Sequence, residues 1–151
     1  MSTSAPECMP VGNFTITVNT FRPLGGVFPI SASIIPNPQN PDCIKISGKN
    51  ITVTGRAAVQ MIFELPNPVD ADPGYVLLGV AFAANQADIT VGMHTFPTIL
   101  INRRPDGSSM TVTDQPQDVG KQHYGYVILI QSIATGEIGM IDPDIDNKPG
   151  Q

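Results

Sequence analysis

The stretch "NFTITVNTF", residues 13–21, decides the fold. Phe14, Ile16 and Val18 fall on one side of an extended chain, and Thr15, Thr17 and Asn19 fall on the other. Side chains of a β-strand alternate with a period of two, so this is the pattern of a strand with one buried face. The same alternation recurs outward from it. Val27–Ile35 reads as a second, less regular strand. It ends at Pro36-Asn-Pro-Gln-Asn-Pro41, which neither a helix nor a central strand accommodates. Ile44-Lys-Ile46 and Ile51-Thr-Val-Thr54 flank Ser47-Gly-Lys-Asn50, a hairpin turn by composition.

Further along, Ala58–Leu65 closes at Pro66-Asn-Pro68. Tyr75–Ala83 is apolar on both faces and is expected as a central strand, as is Tyr124–Ile133. Phe96–Asn102 pairs with Ser109–Thr113 across Arg103–Gly107, which places Arg103 and Arg104 at an exposed hairpin tip. Glu137–Ile141 is the last expected strand. No segment sustains a helical period with caps; Ala81–Ala87 is long enough for one or two turns. The count is roughly nine or ten strands at spacings near twelve residues. These imply an all-β fold, an antiparallel β-sandwich of Greek-key or immunoglobulin-like type. Asp118-Val-Gly120 stands where an immunoglobulin domain carries its Asp-x-Gly-x-Tyr corner, but Gln122 holds the tyrosine position. Trp and the paired cysteines are also missing, so the reading is a sandwich and not a true immunoglobulin domain. The core is expected from Phe14, Ile16, Val18, Val53, Phe63, Leu77, Val80, Leu100, Val112, Ile128 and Ile130.

At 151 residues the chain matches one domain. Residues 1–10 read as a flexible tail, 11–147 as a single sandwich domain and 148–151 as a C-terminal tail. Charged residues make up only 14%, and the 15 Pro and 14 Gly punctuate apolar runs rather than forming a polar tract. With net charge −5 and eight Lys and Arg spread singly apart from Arg103-Arg104, no basic stripe exists to neutralise phosphates. Nucleic acid is therefore not an expected partner. The N-terminus has no basic and apolar signal regions, and no run approaches a membrane span, so the expected location is the cytoplasm. Cys8 and Cys43 are then expected as free thiols.

Chemistry has few footholds. His94 and His123 are the only histidines. Either has the titration range of a general base, but no G-x-S-x-G, H-E-x-x-H or paired-carboxylate signature accompanies them. Phosphate-cradling glycine loops are absent, and no cofactor is expected. Asp142, Asp144 and Asp146 match the first, third and fifth positions of an EF-hand-type loop. Asn147 stands where that loop needs Gly, Pro143 stiffens it, and the closing Glu is missing. These aspartates are the weak metal candidates. The competing reading makes them an acidic run that ends pairing after the last strand. On that reading Asp142 is the most engaged of the three, bonding nearby backbone N–H groups at the Asp-Pro step.

The closing "GMIDPDIDN", residues 139–147, resembles the C-terminal signature of the DP-EP family, small bacterial proteins of unknown function. Asp142-Pro143 carries the first acidic-proline pair; a strict second pair is not present. The resemblance implies a β-sandwich with no known activity. A looser similarity to PixA/AidA-type inclusion-body proteins rests on the same Asp-Pro-x-Ile ending, and implies self-association in preference to catalysis. The expected function is a non-enzymatic binding or self-assembly module, with a second copy or an unknown protein as partner. The alternatives are a small hydrolase-like enzyme with a site near His94 and His123, or a loop-based binder of calcium or carbohydrate. The lack of Trp weighs against sugar stacking.

Overall fold

The structure, a computed structural model, describes residues 9–26, 28–66, 74–84, 96, 98–104, 107–116 and 122–148. Eleven strands and no helix occur among them: β1 (Val11–Thr20), β2 (Ser31–Pro36), β3 (Ile44–Ser47), β4 (Asn50–Thr54), β5 (Val59–Pro66), β6 (Tyr75–Ala84), β7 (Thr98–Arg104), β8 (Gly107–Asp114), β9 (Gln122–Ser132), β10 (Ile138–Ile141) and β11 (Asp144–Lys148). No helix among the described residues is long and apolar enough to cross a membrane. The strands form two sheets. The first runs β2-β1-β5-β8-β7. In the second, β6 takes one side of β9; β10 and β11 share the other, and β11 leads on to β4 and β3.

The all-β sandwich expected from alternation is what forms, with three differences. Two pairs are parallel, β1 with β5 and β11 with β4, so both sheets are mixed. An eleventh strand, β11, occupies the supposed acidic run. Its pairing extends to Lys148 opposite Thr54. And β6, apolar on both faces, pairs only with β9 among the described residues, at the edge of its sheet. The expected central position holds for β9 alone.

The core lies between the sheets. Phe14 and Phe63 face each other in the parallel β1–β5 register and stack with ring centroids 5.3 Å apart. Phe63 meets Tyr126 of the opposite sheet at 6.1 Å, and Tyr126 meets its register partner Phe82 at 5.9 Å. Phe82 stacks on Phe96 at 3.8 Å, and Phe96 sits edge-on to Tyr124 at 5.3 Å. Each ring is a large apolar surface, so this chain of aromatics carries much of the burial that holds the sheets together. Where β6 bulges between Leu77 and Gly79, the Leu77 N–H donates to Ser108 Oγ of the first sheet at 3.0 Å. A donor displaced from the ladder is thereby satisfied across the core.

Of the expected core, Phe14, Ile16, Val53, Phe63, Leu77, Val112, Ile128 and Ile130 are buried, while Val18 and Val80 pack against it partly covered. Leu100 is the exception, at 62% exposed. It lies opposite Thr111 on the outer face of an edge strand, where alternation alone cannot reveal which face is covered.

Candidate functional site

The stretch that looked like a metal loop is a strand enclosed by two others. Asp144 to Asn147 pair antiparallel with Gly125 to Gln122 of β9, and Asp144 to Lys148 pair parallel with Asn50 to Thr54 of β4. Ile141, Pro143, Ile145 and Asn147 are buried, while Asp142 is exposed and Asp146 half-buried. That is the period of two again, with Pro143 and Asn147 at inward positions. The signal was present in Ile141-Asp-Pro-Asp-Ile-Asp-Asn147. It was masked because Asp and Pro are depleted from strands and D-x-D-x-D suggests a loop. An EF-hand loop coils around its cation; this backbone is extended and bonded on both edges.

The strand brings Asp146 to His123, its register partner on β9. His123 Nδ1 is in direct contact with Asp146 Oδ1. Asn50 Nδ2 of β4 donates to Asp146 Oδ2 at 3.1 Å. A half-exposed carboxylate thus ties three neighbouring strands on the outer face of the second sheet. Partial burial would raise the Asp146 pKa, but the bonds to His123 and Asn50 and the charges of His123 and Lys148 outweigh it. The carboxyl is held below its ordinary value. Asp142, expected to be the most engaged acid, is exposed and makes no side-chain bond among the described residues. Only the backbone of Asp144 is described.

A His–carboxylate pair fixes the orientation and tautomer of an imidazole, one part of a catalytic constellation. This pair stands on an open strand face, with His123 38% and Asp146 21% exposed, and not in a water-excluded cleft. Among the described residues, no cluster of three or more His, Cys, Asp or Glu has the arrangement of a metal site. His94 and Cys8 lie outside the described residues, so neither the His94–His123 site nor the state of Cys8 is seen. Cys43 carries a free thiol, half-buried beside β3. Arg103 and Arg104 end β7 opposite Ser108 and Gly107, at the expected hairpin and on the other sheet from His123. Arg104 lines a hollow of about 100 Å³ together with Glu64, Leu65, Pro66, Gly107 and Ser108.

The residues that sequence reasoning missed are on β7 and in the core. Ile99, Leu100 and Ile101 are consecutive and exposed by 39%, 62% and 38% on a strand whose outer edge no described strand pairs. Asp114 and Asn147 are fully buried and bonded to each other between the sheets.

Neither a protein-family model nor a curated protein matches the sequence, and the DP-EP resemblance gains no support from either comparison. Solved structures do match. The chain is similar to the inclusion body protein PixA from Burkholderia cenocepacia, with a TM-score of 0.54 and 6% identity, over 99% of this chain and 100% of that one. At that identity the likeness shows the fold, along the lines of the looser resemblance. A second match is murine CRIg, with a TM-score of 0.39 and 16% identity, over 70% of this chain and 94% of that one.

Proposed function

We propose that this chain is a non-enzymatic module that associates with a second copy of itself, edge to edge, through β7. The observation that carries the reading is the run of three exposed apolar residues on an outer strand. Ile99 and Ile101 lie opposite Val112 and Met110, which are fully buried, so they point toward the core side and are only partly covered there. Leu100 projects from the other face. Proteins normally blunt such edges with charge or proline. No proline occurs in Thr98–Arg104, and the only charges are the two arginines at one end.

The strand suits a second copy. An antiparallel twofold centred on Ile101 sets Thr98 against the partner's Arg104, Ile99 against the partner's Arg103 and Leu100 against the partner's Asn102. The arginines then lie at opposite ends of the joint, with no like charges facing. Such a pairing continues the first sheet across two subunits and covers Ile99 and Ile101. The solved structure of similar fold belongs to a protein named for inclusion bodies, which supports assembly over catalysis.

Sedimentation of the full chain over a concentration series tests this. The wild-type mass should rise toward twice that of one chain, whereas Ile101→Lys, which sets two ammonium groups face to face, should stay at one with unchanged circular dichroism. Leu100→Lys should weaken the association as well. A wild type that remains a single chain at every concentration overturns the reading, as does an Ile101→Lys variant that assembles like wild type.

A further inference from the structure

Asp114 ends β8 in the first sheet and Asn147 lies in β11 of the second, and both are fully buried. Asn147 Nδ2 donates to Asp114 Oδ1 at 2.9 Å across the gap between sheets. The remaining side-chain oxygens, Asp114 Oδ2 and the amide oxygen Asn147 Oδ1, are buried too and have no hydrogen-bond partner among the described residues. With Asp114 ionised, one buried pair would hold a charge and two unmatched acceptors, and each is costly away from water. A single proton taken up from solvent resolves all three. A neutral carboxyl accepts at Oδ1 from Asn147 Nδ2 and can donate its Oδ2–H to Asn147 Oδ1, closing an eight-membered acid–amide ring.

The surroundings favour the neutral form. Val59 of β5 is the register partner of Asp114 and Val53 of β4 that of Asn147, both buried, and Ile145 of β11 and Tyr124 of β9 are buried as well. Among the described residues, the charged side chains of the adjoining elements stand at outward or exposed positions. His123, Asp146 and Lys148 occupy the outward, half-buried positions of β9 and β11, and Arg56, between β4 and β5, is exposed. Glu64 on β5 and Arg103 and Arg104 on β7 stand at the far ends of their strands, exposed. Burial is the largest influence on the Asp114 carboxyl, and the Asn147 bond offsets it only in part; the pKa is pushed up to about 7.

We propose that Asp114 and Asn147 form a proton-dependent staple between the two sheets, closed when the Asp114 carboxyl is protonated and opened when it ionises. The sign follows from linkage. A carboxyl that holds its proton more tightly in the folded chain contributes stability that is full below its unfolded pKa. That contribution is lost as pH rises through the folded pKa. The staple therefore loosens on approach to neutral pH, a range in which ordinary carboxyls no longer titrate.

Denaturation of the wild type and Asp114→Asn between acid and mildly alkaline pH tests the proposal. Asparagine keeps the shape of the neutral acid and can form the same ring with Asn147. The wild-type folding constant should therefore fall relative to that of the variant by up to about tenfold per pH unit, levelling off above neutrality. Taking the ratio cancels the titration of His123 and Asp146. A second variant, Asp114→Leu, leaves Asn147 buried without its partner and should be less stable than Asp114→Asn at every pH. In the wild type, the carbon-13 resonance of the Asp114 carboxyl should titrate near neutrality. A pH-independent ratio, a carboxyl midpoint in the ordinary acid range, or an Asp114→Leu variant as stable as Asp114→Asn would overturn the staple.

Discussion

Asp146 shows how differently one residue reads in sequence and in space. In sequence it is the third acid of a D-x-D-x-D run. In the fold it bonds His123 and Asn50, which are 23 and 96 residues away. Its carboxyl is held below the ordinary value, so it contributes stability at neutral pH that is lost as pH falls through its folded pKa. Because the site is partly exposed, solvent screens the pair and the contribution is modest. Asp146→Ala should destabilise by about 1 kcal/mol at neutral pH, and the difference from wild type should shrink in strong acid. Asp142→Ala, at an exposed side chain without a bond, should fall within about 0.5 kcal/mol of wild type. Urea denaturation of the two variants reverses the order expected from sequence if this is right. Equal costs would mean that the His123–Asp146 contact does not form in solution. Asp146 and His123 are each legible as candidates in the sequence, but their pairing and the part of Asn50 are not, because a register between distant strands is not written in local spacing.

Among elements, the line formed by β10 and β11 governs the second sheet. The two strands share one side of β9 and are separated only by Asp142-Pro143, and the Tyr126 N–H donates to Pro143 O at 3.0 Å within that break. The proline thus interrupts the line without ending it. On the other side of β10, the segment after β1 lies as a clasp. Leu24 N donates to Ile138 O at 2.7 Å and Ile30 N to Met140 O at 2.8 Å. The approach is close because residue 139 is glycine. A Cβ there would stand 2.3 Å from Arg22 O and 2.7 Å from Ile30 Cδ1. Backbone cannot yield as a side-chain tip does, so Gly139→Ala should cost about 1–3 kcal/mol, the range for overpacking. Gly79→Ala on β6 meets nothing within 4 Å and should stay within about 0.5 kcal/mol. Thermal melts of the pair check this; a harmless Gly139→Ala would mean that the clasp is not seated on β10. The last strand before Asp142 was legible from Glu137–Ile141, but the clasp was not.

For the whole molecule, β11 joins the two halves of the second sheet: β9, with β6 and β10, lies on one side and β4, with β3, on the other. It also carries Ile145 into the core and Asn147 to Asp114. Removing residues 142–151 would strip β4 of a ladder, bare the Gln122–Gly125 part of one side of β9 and leave Asp114 buried without its bond. A chain ending at Ile141 should therefore fail to give a cooperative urea transition, and its near-ultraviolet circular dichroism should collapse. A truncated chain that unfolds as cooperatively as the full one would show that the acidic run is a dispensable tail, as its composition suggested.

Alternation along single strands depends only on the period of an extended chain, and so the sequence by itself determined the all-β class, most of the strands and the inward faces of β1, β4, β5, β8 and β9. Residues such as Phe14, Ile16, Val53 and Phe63 could be placed because their neighbours two positions away agree with them. Only the tertiary structure decided which strands became edges. Leu100 and Tyr75–Ala84 have the local pattern of buried strands, yet among the described residues β7 and β6 end their sheets, because edge or centre depends on how many strands stack beside them. It also decided the parallel pairings and the meeting of His123 with Asp146 and of Asp114 with Asn147. Each of these joins segments far apart in the chain, and no short-range regularity of residue type specifies a distant partner.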